Sequence, residues 1–393
     1  MGKVQTACCT TAHRGKRVLS ATKAYFVFQK PARRLTILAL LLLAGCVAHR
    51  QLDYATAPVN NAGVEQIFVA TTRLKTTPDQ AFDANRAFES AYAEFAVSIP
   101  ASHASGTIEW PGRKVNPGTD FVTIKANEIV GATRFRSALN AAFARLPAGK
   151  RDAVVFVHGF NNTFVEGLYR VAQLSHDMQV GGVKVHYSWP SAGTESGYAY
   201  DRDSATFARD GLQELLETLA ASNADHVLLV AHSMGAQITV EALRQMYIAG
   251  HPRLAGKLSG VVLMSPDIDV DVFKSQLMKI KPLPRPFVIF SSNKDRALRL
   301  SALIRGEKQR LGNLISADAL AGLGVIVIDL SNFDTGGDWL RHSSIATSPN
   351  LQAILGSLPD LDKRLEPRKT GAHVLFPNLV ELQKNGYWLV PGF

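Results

Sequence analysis

Residues 226–237 read HVLLVAHSMGAQ: an apolar run that stops on a serine between small residues. The arrangement Ala231-His232-Ser233-Met234-Gly235 follows Gly-x-Ser-x-Gly, with alanine in place of the first glycine. A serine on a sharp strand-to-helix turn takes a strained backbone, so the residues two positions away on either side must be small. Its lifted hydroxyl can attack an acyl carbonyl. As a bare string the motif is weak, and a strand running into a polar loop is the plain alternative; the strand–turn–helix context strengthens it.

Acyl transfer by serine also needs donors for the oxyanion, a base, and an acid that orients the base. Met234 follows the nucleophile and offers one amide. The loop VHGFNN (157–162) offers a second from Phe160, with Asn161 the next choice; an ordinary tight turn is the alternative for His158-Gly159. The acid should follow Ser233 in the chain and the histidine should follow the acid. Asp295 ends FVIFSSNKD and is preferred, while Asp267, at the end of the preceding strand, stays open; either could be a helix N-cap. His342, after GVIVIDLS, is the preferred base over His373 in the tail and His232 inside the turn. The stretch SAGTESGYAYDRDS (191–204) reads as a flexible loop whose Tyr198 and Tyr200 could wall an acyl pocket. RALRLSALIRGEKQR (296–310) reads as a helix with a solvated basic face, with binding of an anionic lipid head group or polymer as the alternative.

Alternating elements must position these residues. QIFVATTR (66–73), AYAEFAVSIP (91–100), DAVVFVHGF (152–160), VKVHYSWPS (183–191), HVLLVAHS (226–233), SGVVLMSPDID (259–269), RPFVIFSSNKD (285–295) and LGVIVIDLS (323–331) read as strands. SALNAAFARL (137–146), FVEGLYRVAQLSHDMQ (164–179), SATFARDGLQELLETLAAS (204–222) and AQITVEALRQMYI (236–248) read as helices. Apolar strands separated by helices predict an α/β fold with a mostly parallel central sheet covered on both faces. No long insertion separates the strand near 265 from the one near 288, so no large cap domain is expected.

The net charge of +10 suggests a polyanion partner until the charges are placed. Eight basic residues and no acidic one lie in residues 1–45; the remainder holds 35 basic against 33 acidic side chains. A nearly neutral body gives no support for a nucleic-acid partner. The basic front runs into RRLTILALLLLAGC, whose apolar part is too short to span a bilayer comfortably and has the layout of a secretory signal. LAGC resembles the bacterial lipobox, in which the cysteine gains a lipid and becomes the mature N-terminus. Cys46 would then be the one cysteine left after removal of Cys8 and Cys9, with no internal disulfide. The expected layout is a lipoprotein signal over 1–45, a tether over 46–64, one α/β domain over 65–360, and a tail over 361–393 packed on it.

Taken together, HGFNN, SWPS, AHSMG, SPDID, SSNKDRAL and the late His342 resemble the α/β-hydrolase superfamily. More narrowly they resemble a bacterial, lipoprotein-type branch of mostly unknown function. The resemblance covers roughly residues 65 to 360. It implies an α/β-hydrolase fold, a serine hydrolase with Ser233, Asp295 and His342 as triad, and SWPSAG (188–193) beside the site. Asn161, Trp189 and Tyr198 are weaker candidates for substrate contact. The expected reaction is cleavage of an acyl ester through an acyl-enzyme, without a cofactor. Thioester or amide cleavage, perhydrolysis, and a non-catalytic binding role on the same scaffold are the alternatives. The expected partners are a small acyl-ester or lipid substrate and, through lipidated Cys46, the bacterial envelope. Val47, not aspartate, follows that cysteine and favours the outer membrane, facing the periplasm.

Overall fold

Strand β4 (Asp152–Val157) explains how the sheet is covered. Successive side chains of a strand point to opposite faces. Ala153, Val155 and Val157 join one buried cluster and Val154 and Phe156 the other. In β8 (Phe287–Ser291) Phe287 and Ile289 take the first face and Val288 and Phe290 the second. Strands apolar on both faces are stable only when both are covered, which is the pattern of a parallel sheet with crossover helices. The computed structural model describes residues 51–59, 61–77, 81–250, 252–295, 298, 301, 310–314, 317–320 and 322–331.

The remaining strands are β1 (Gly63–Lys75), β2 (Phe82–Ile99), β3 (Val122–Ile129), β5 (Val183–Ser188), β6 (His226–His232), β7 (Leu258–Met264) and β9 (Ile326–Asp329). The nine described strands run in the order β3-β2-β1-β5-β4-β6-β7-β8-β9. From β1 to β9 every neighbouring pair is parallel, with Ile67 opposite Lys184 and Val157 opposite Ala231. β2 pairs antiparallel with β1 and with β3. The expected α/β-hydrolase sheet is therefore present, extended at one edge by a long antiparallel ribbon. Helices α1 (Ala132–Phe143), α3 (Tyr198–Ala220), α4 (Met234–Ala249) and α5 (Val270–Leu277) contribute to the first apolar cluster. α2 (Phe164–Asp177) fills the second through Phe164, Leu168 and Val171.

Three expectations need correction. The sequence pattern marks only half of the ribbon, because the first half of β2 is polar and β3, VTIKANEI, alternates but has no continuous apolar run. Residues expected in the tether pack instead: Leu52 is buried, and the amides of Thr123 and Ala55 exchange hydrogen bonds with Asp53 O and Thr123 O. Tyr198 and Tyr200 do not sit in a flexible loop but on the first turn of α3. The leader with Cys46, the preferred base His342, its alternative His373 and the tail lie outside the described residues. No helix of the described residues is long and apolar enough to cross a membrane.

Candidate active site

Ser233 stands between β6 and α4 at φ 52°, ψ −121°. A positive φ is costly for any residue with a Cβ and persists where the surroundings over-determine it. Here the Ser233 amide donates to Met264 O at 2.9 Å, and Ser233 O accepts from Asp267 N and Ala236 N, each at 3.1 Å. The turn is thus fastened to the end of β7. A Cβ on Gly235 would lie 2.3 Å from His158 O and 2.7 Å from Val157 O, so the last glycine of the motif lets α4 start against the end of β4. Ala231 is fully buried within β6, paired with Val157 on β4 and Leu263 on β7.

The loop after β4 meets this turn closely. A Cβ on Gly159 would lie 2.6 Å from His232 Nδ1 and 2.9 Å from Ser233 Cβ, so only glycine brings the chain so near Ser233. Asn161 is left-handed at φ 57°. α2 then begins at once, because Thr163 and Glu166 form a capping box. The Asn161 amide donates to Asp201 Oδ2 at 3.3 Å, whereas no described group accepts from the amides of Phe160 or Met234. Of the two oxyanion amides considered for this loop, Asn161 is committed elsewhere and Phe160 is the one left over.

Both candidate acids are buried. Asp267 is fully engaged: Oδ1 accepts from Arg310 Nε at 2.6 Å and from Ser301 Oγ at 2.9 Å, and Oδ2 from Tyr198 Oη at 2.9 Å. Arg310 Nη2 also donates to Asp267 O at 2.6 Å. This corrects the expectation of a solvated basic face at 296–310 as far as Arg310 is concerned, since that side chain is fully buried. Asp295 lies beyond β8, also fully buried, and its Oδ1 accepts from Leu298 N at 2.9 Å.

Trp189, considered for substrate contact, is fully buried. Its indole stacks on the His158 ring at 5.0 Å and 9°, and its Nε1 donates to His158 O at 2.7 Å. It braces the loop from behind. Tyr198 does reach the site's edge, with its ring at 5.4 Å and 73° to Phe160. His158 and its neighbour His186 are neutral: burial pushes His158 well below the usual histidine value, aided by Arg73 and His186, and drives His186 down to about 3.

Two charged residues at the site carried no signal in the sequence reading. Arg73, at the end of β1, is buried and donates to Ser188 Oγ, Ser191 O and Asp83 O at 3.0 Å and to Asn162 O at 2.8 Å. Burial lowers its pKa to about 10, partly offset by Asp201, so it stays charged at neutral pH. Asp201 on α3 is also buried and accepts from Ser191 Oγ at 2.5 Å and Ala192 N at 2.6 Å. Burial raises its pKa despite these bonds. Their partners lie up to 118 residues away in the chain, so no local pattern announces them. Among the described residues no group of three or more His, Cys, Asp or Glu side chains is placed to hold a metal ion.

No curated protein matches the sequence. Solved structures do show similarity. A protein described as a YdeN-like hydrolase from Pectobacterium atrosepticum is 16% identical, over 57% of this chain and 97% of its own, with a TM-score of 0.32. A Rhizomucor miehei esterase is 13% identical, over 70% and 80%, with a TM-score of 0.34. Aspergillus fumigatus lipase B is 14% identical, over 61% of each chain, with a TM-score of 0.37. The model of a family described as alpha/beta hydrolase of unknown function (DUF900) matches residues 135–357, more than half of the chain. With a mostly parallel sheet and a strained serine at the strand–helix junction, this protein belongs to that α/β-hydrolase family.

Proposed function

We propose that the protein is a serine hydrolase that cleaves an acyl ester, with Ser233 as nucleophile. The observation that carries this reading is the backbone of Ser233, held in the left-handed region from both sides while the Gly159 loop crosses directly over it. Strain of this kind gathers at functional sites. In the proposed sequence His342 takes the hydroxyl proton as Ser233 Oγ bonds to the acyl carbon. The tetrahedral oxyanion accepts from the amides of Phe160 and Met234. His342 then protonates the departing alcohol, and water, deprotonated by the same imidazole, releases the carboxylic acid and restores Ser233. Asp295 holds the imidazole in the required tautomer. Chain order supports His342 and Asp295, and the closed hydrogen bonding of Asp267 supports Asp295 over its rival.

Ser233→Ala keeps a small residue on the turn and removes only the oxygen. Hydrolysis of a short p-nitrophenyl ester should fall at least about a thousandfold, and fluorophosphonate labelling should vanish at unchanged melting temperature. A folded Ser233→Ala protein that still labels and turns over would overturn the mechanism.

The LAGC string supports a separate proposal, that Cys46 is lipidated and anchors the protein in the bacterial outer membrane. Cys46→Ser should abolish incorporation of a radiolabelled fatty acid and the protein's recovery with membranes. An unlabelled wild type outside the membrane fraction would refute it.

A further inference from the structure

The chain from Gly159 to Thr163 is pinned one peptide plane at a time. The Phe160 N–H lies in the plane of the Gly159 carbonyl, and peptide planarity ties their directions together. Gly159 O lies 2.9 Å from His158 Nδ1 and accepts from Asn162 Nδ2 at 3.3 Å. In the next plane Phe160 O accepts from Asn162 Nδ2 at 2.8 Å and Asn161 N donates to Asp201 at 3.3 Å. In the third, Asn162 N donates to Ser191 Oγ at 3.1 Å. In the fourth, Asn162 O accepts from Arg73 at 2.8 Å and Thr163 N donates to Glu166 at 2.9 Å. Ser191 joins the two ends, since its hydroxyl donates to Asp201 and its carbonyl accepts from Arg73.

Every plane is therefore fixed by a side chain, and the Phe160 N–H is the one donor of the series without a described acceptor. Phe160 is half-buried beside the Ser233 turn, and an amide with no described acceptor, where its neighbours along the loop are paired, is placed to meet a ligand oxygen. We infer that Asp201, with Arg73 acting through Ser191, is a positioning residue that holds Asn161 left-handed and so aims the Phe160 amide at the oxyanion formed on Ser233. The inference rests on the serine-hydrolase reading above.

The test compares wild type, Asp201→Asn and the milder Ser191→Ala. Asparagine keeps the shape of Asp201 but must turn an NH2 group towards Asn161 N, Ala192 N or Ser191 Oγ. Removing a whole oxyanion donor costs about a hundredfold or more in kcat. A misaimed donor in Asp201→Asn should cost about thirtyfold in p-nitrophenyl acetate turnover, with KM within about threefold. An alkyl boronic acid, which adds to the serine as a tetrahedral adduct, should lose affinity by a similar factor. Ser191→Ala should shift both in the same direction by less, and carries the test if Asp201→Asn does not fold. Tyr92→Phe, which loses a 2.6 Å bond to Glu214 away from the loop, should lower stability and leave boronate affinity unchanged. A folded Asp201→Asn or Ser191→Ala protein with unchanged kcat and boronate affinity, or with a change in KM alone, would overturn the inference. A wild type that fluorophosphonate does not label at Ser233 would overturn the underlying reading instead.

Discussion

Two fully buried arginines stand on either side of β6, the strand that leads into Ser233, and they use their charge differently. Arg310 closes on one carboxylate, meeting both the side chain and the backbone oxygen of Asp267 at 2.6 Å. Arg73 makes no ion pair among the described residues; it spreads its donors over three carbonyls and a hydroxyl from four places in the chain. A direct pair is a lock: it holds two segments together and leaves no acceptor for a reaction. A spread guanidinium is a jig: it sets the directions of backbone groups, and Asp201 does the same through the Asn161 and Ala192 amides and the Ser191 hydroxyl. A buried carboxylate beside an active site is thus not by itself a catalytic acid, since Asp201, Asp267 and Asp295 are all buried and sit in different hydrogen-bonding roles.

The sharpest way to break this comparison is to swap the acids. Asp295→Asn should lower kcat by about four powers of ten, through the wrong histidine tautomer, with a small change in melting temperature. Asp267→Asn should do the reverse, losing stability while the surviving folded fraction keeps most of its turnover per active site titrated with fluorophosphonate. The opposite ranking would move the acid to β7. The next largest effect belongs to the lock. Arg310→Met leaves Asp267 buried without its cation, which costs about 3–5 kcal/mol. Urea unfolding should show it, and a loss under 1 kcal/mol would mean that the pair holds nothing together. The jig should fail more gently. Arg73→Lys keeps the charge but cannot reach four acceptors with one ammonium group. A roughly tenfold lower kcat, about 1.4 kcal/mol, is expected at similar stability; a pure stability loss would make Arg73 a second lock.

The turn that carries the candidate nucleophile was more legible than the residues that hold the neighbouring loop. Ser233 could be read because its constraints are local: an apolar strand before it, a helix after it, and small residues at Ala231 and Gly235. The Gly159 loop was legible for the same reason. Arg73 was not, because TTRLK looks like any strand ending in charge, and burial is decided by strands β5 and β1 meeting far apart in sequence. Asp201 sits in YAYDRDS, a string as polar as a surface loop; in the fold it lies on the first turn of α3, buried against Ser191 and Ala192. Trp189 is a candidate for substrate contact by its place in the chain, but a large aromatic beside a site can face either way, and here it is buried and stacks inward on His158. The antiparallel edge escaped for a simpler reason. β3 reads VTIKANEI, and an edge strand with charged outer positions lacks the continuous apolar run that marked the parallel strands.

The smallest predicted effect lies where lock and jig touch. Tyr198 is three residues before Asp201 on α3, its ring packs on Phe160, and its hydroxyl reaches Asp267 and Ser301 at 2.9 and 2.6 Å. Tyr198→Phe keeps the ring and therefore the contact with the oxyanion loop. It removes one donor to a charged carboxylate that still has Arg310 and Ser301, so the expected cost is about 1–2 kcal/mol of stability, with kcat within twofold. If lock and jig are separate devices, that loss should add to the loss from Ser191→Ala within about 0.5 kcal/mol in a double-mutant cycle. A coupling above about 1 kcal/mol would show instead that the tyrosine transmits strain between them. The aim of the Phe160 amide would then depend on the Asp267 pair as well as on Asp201.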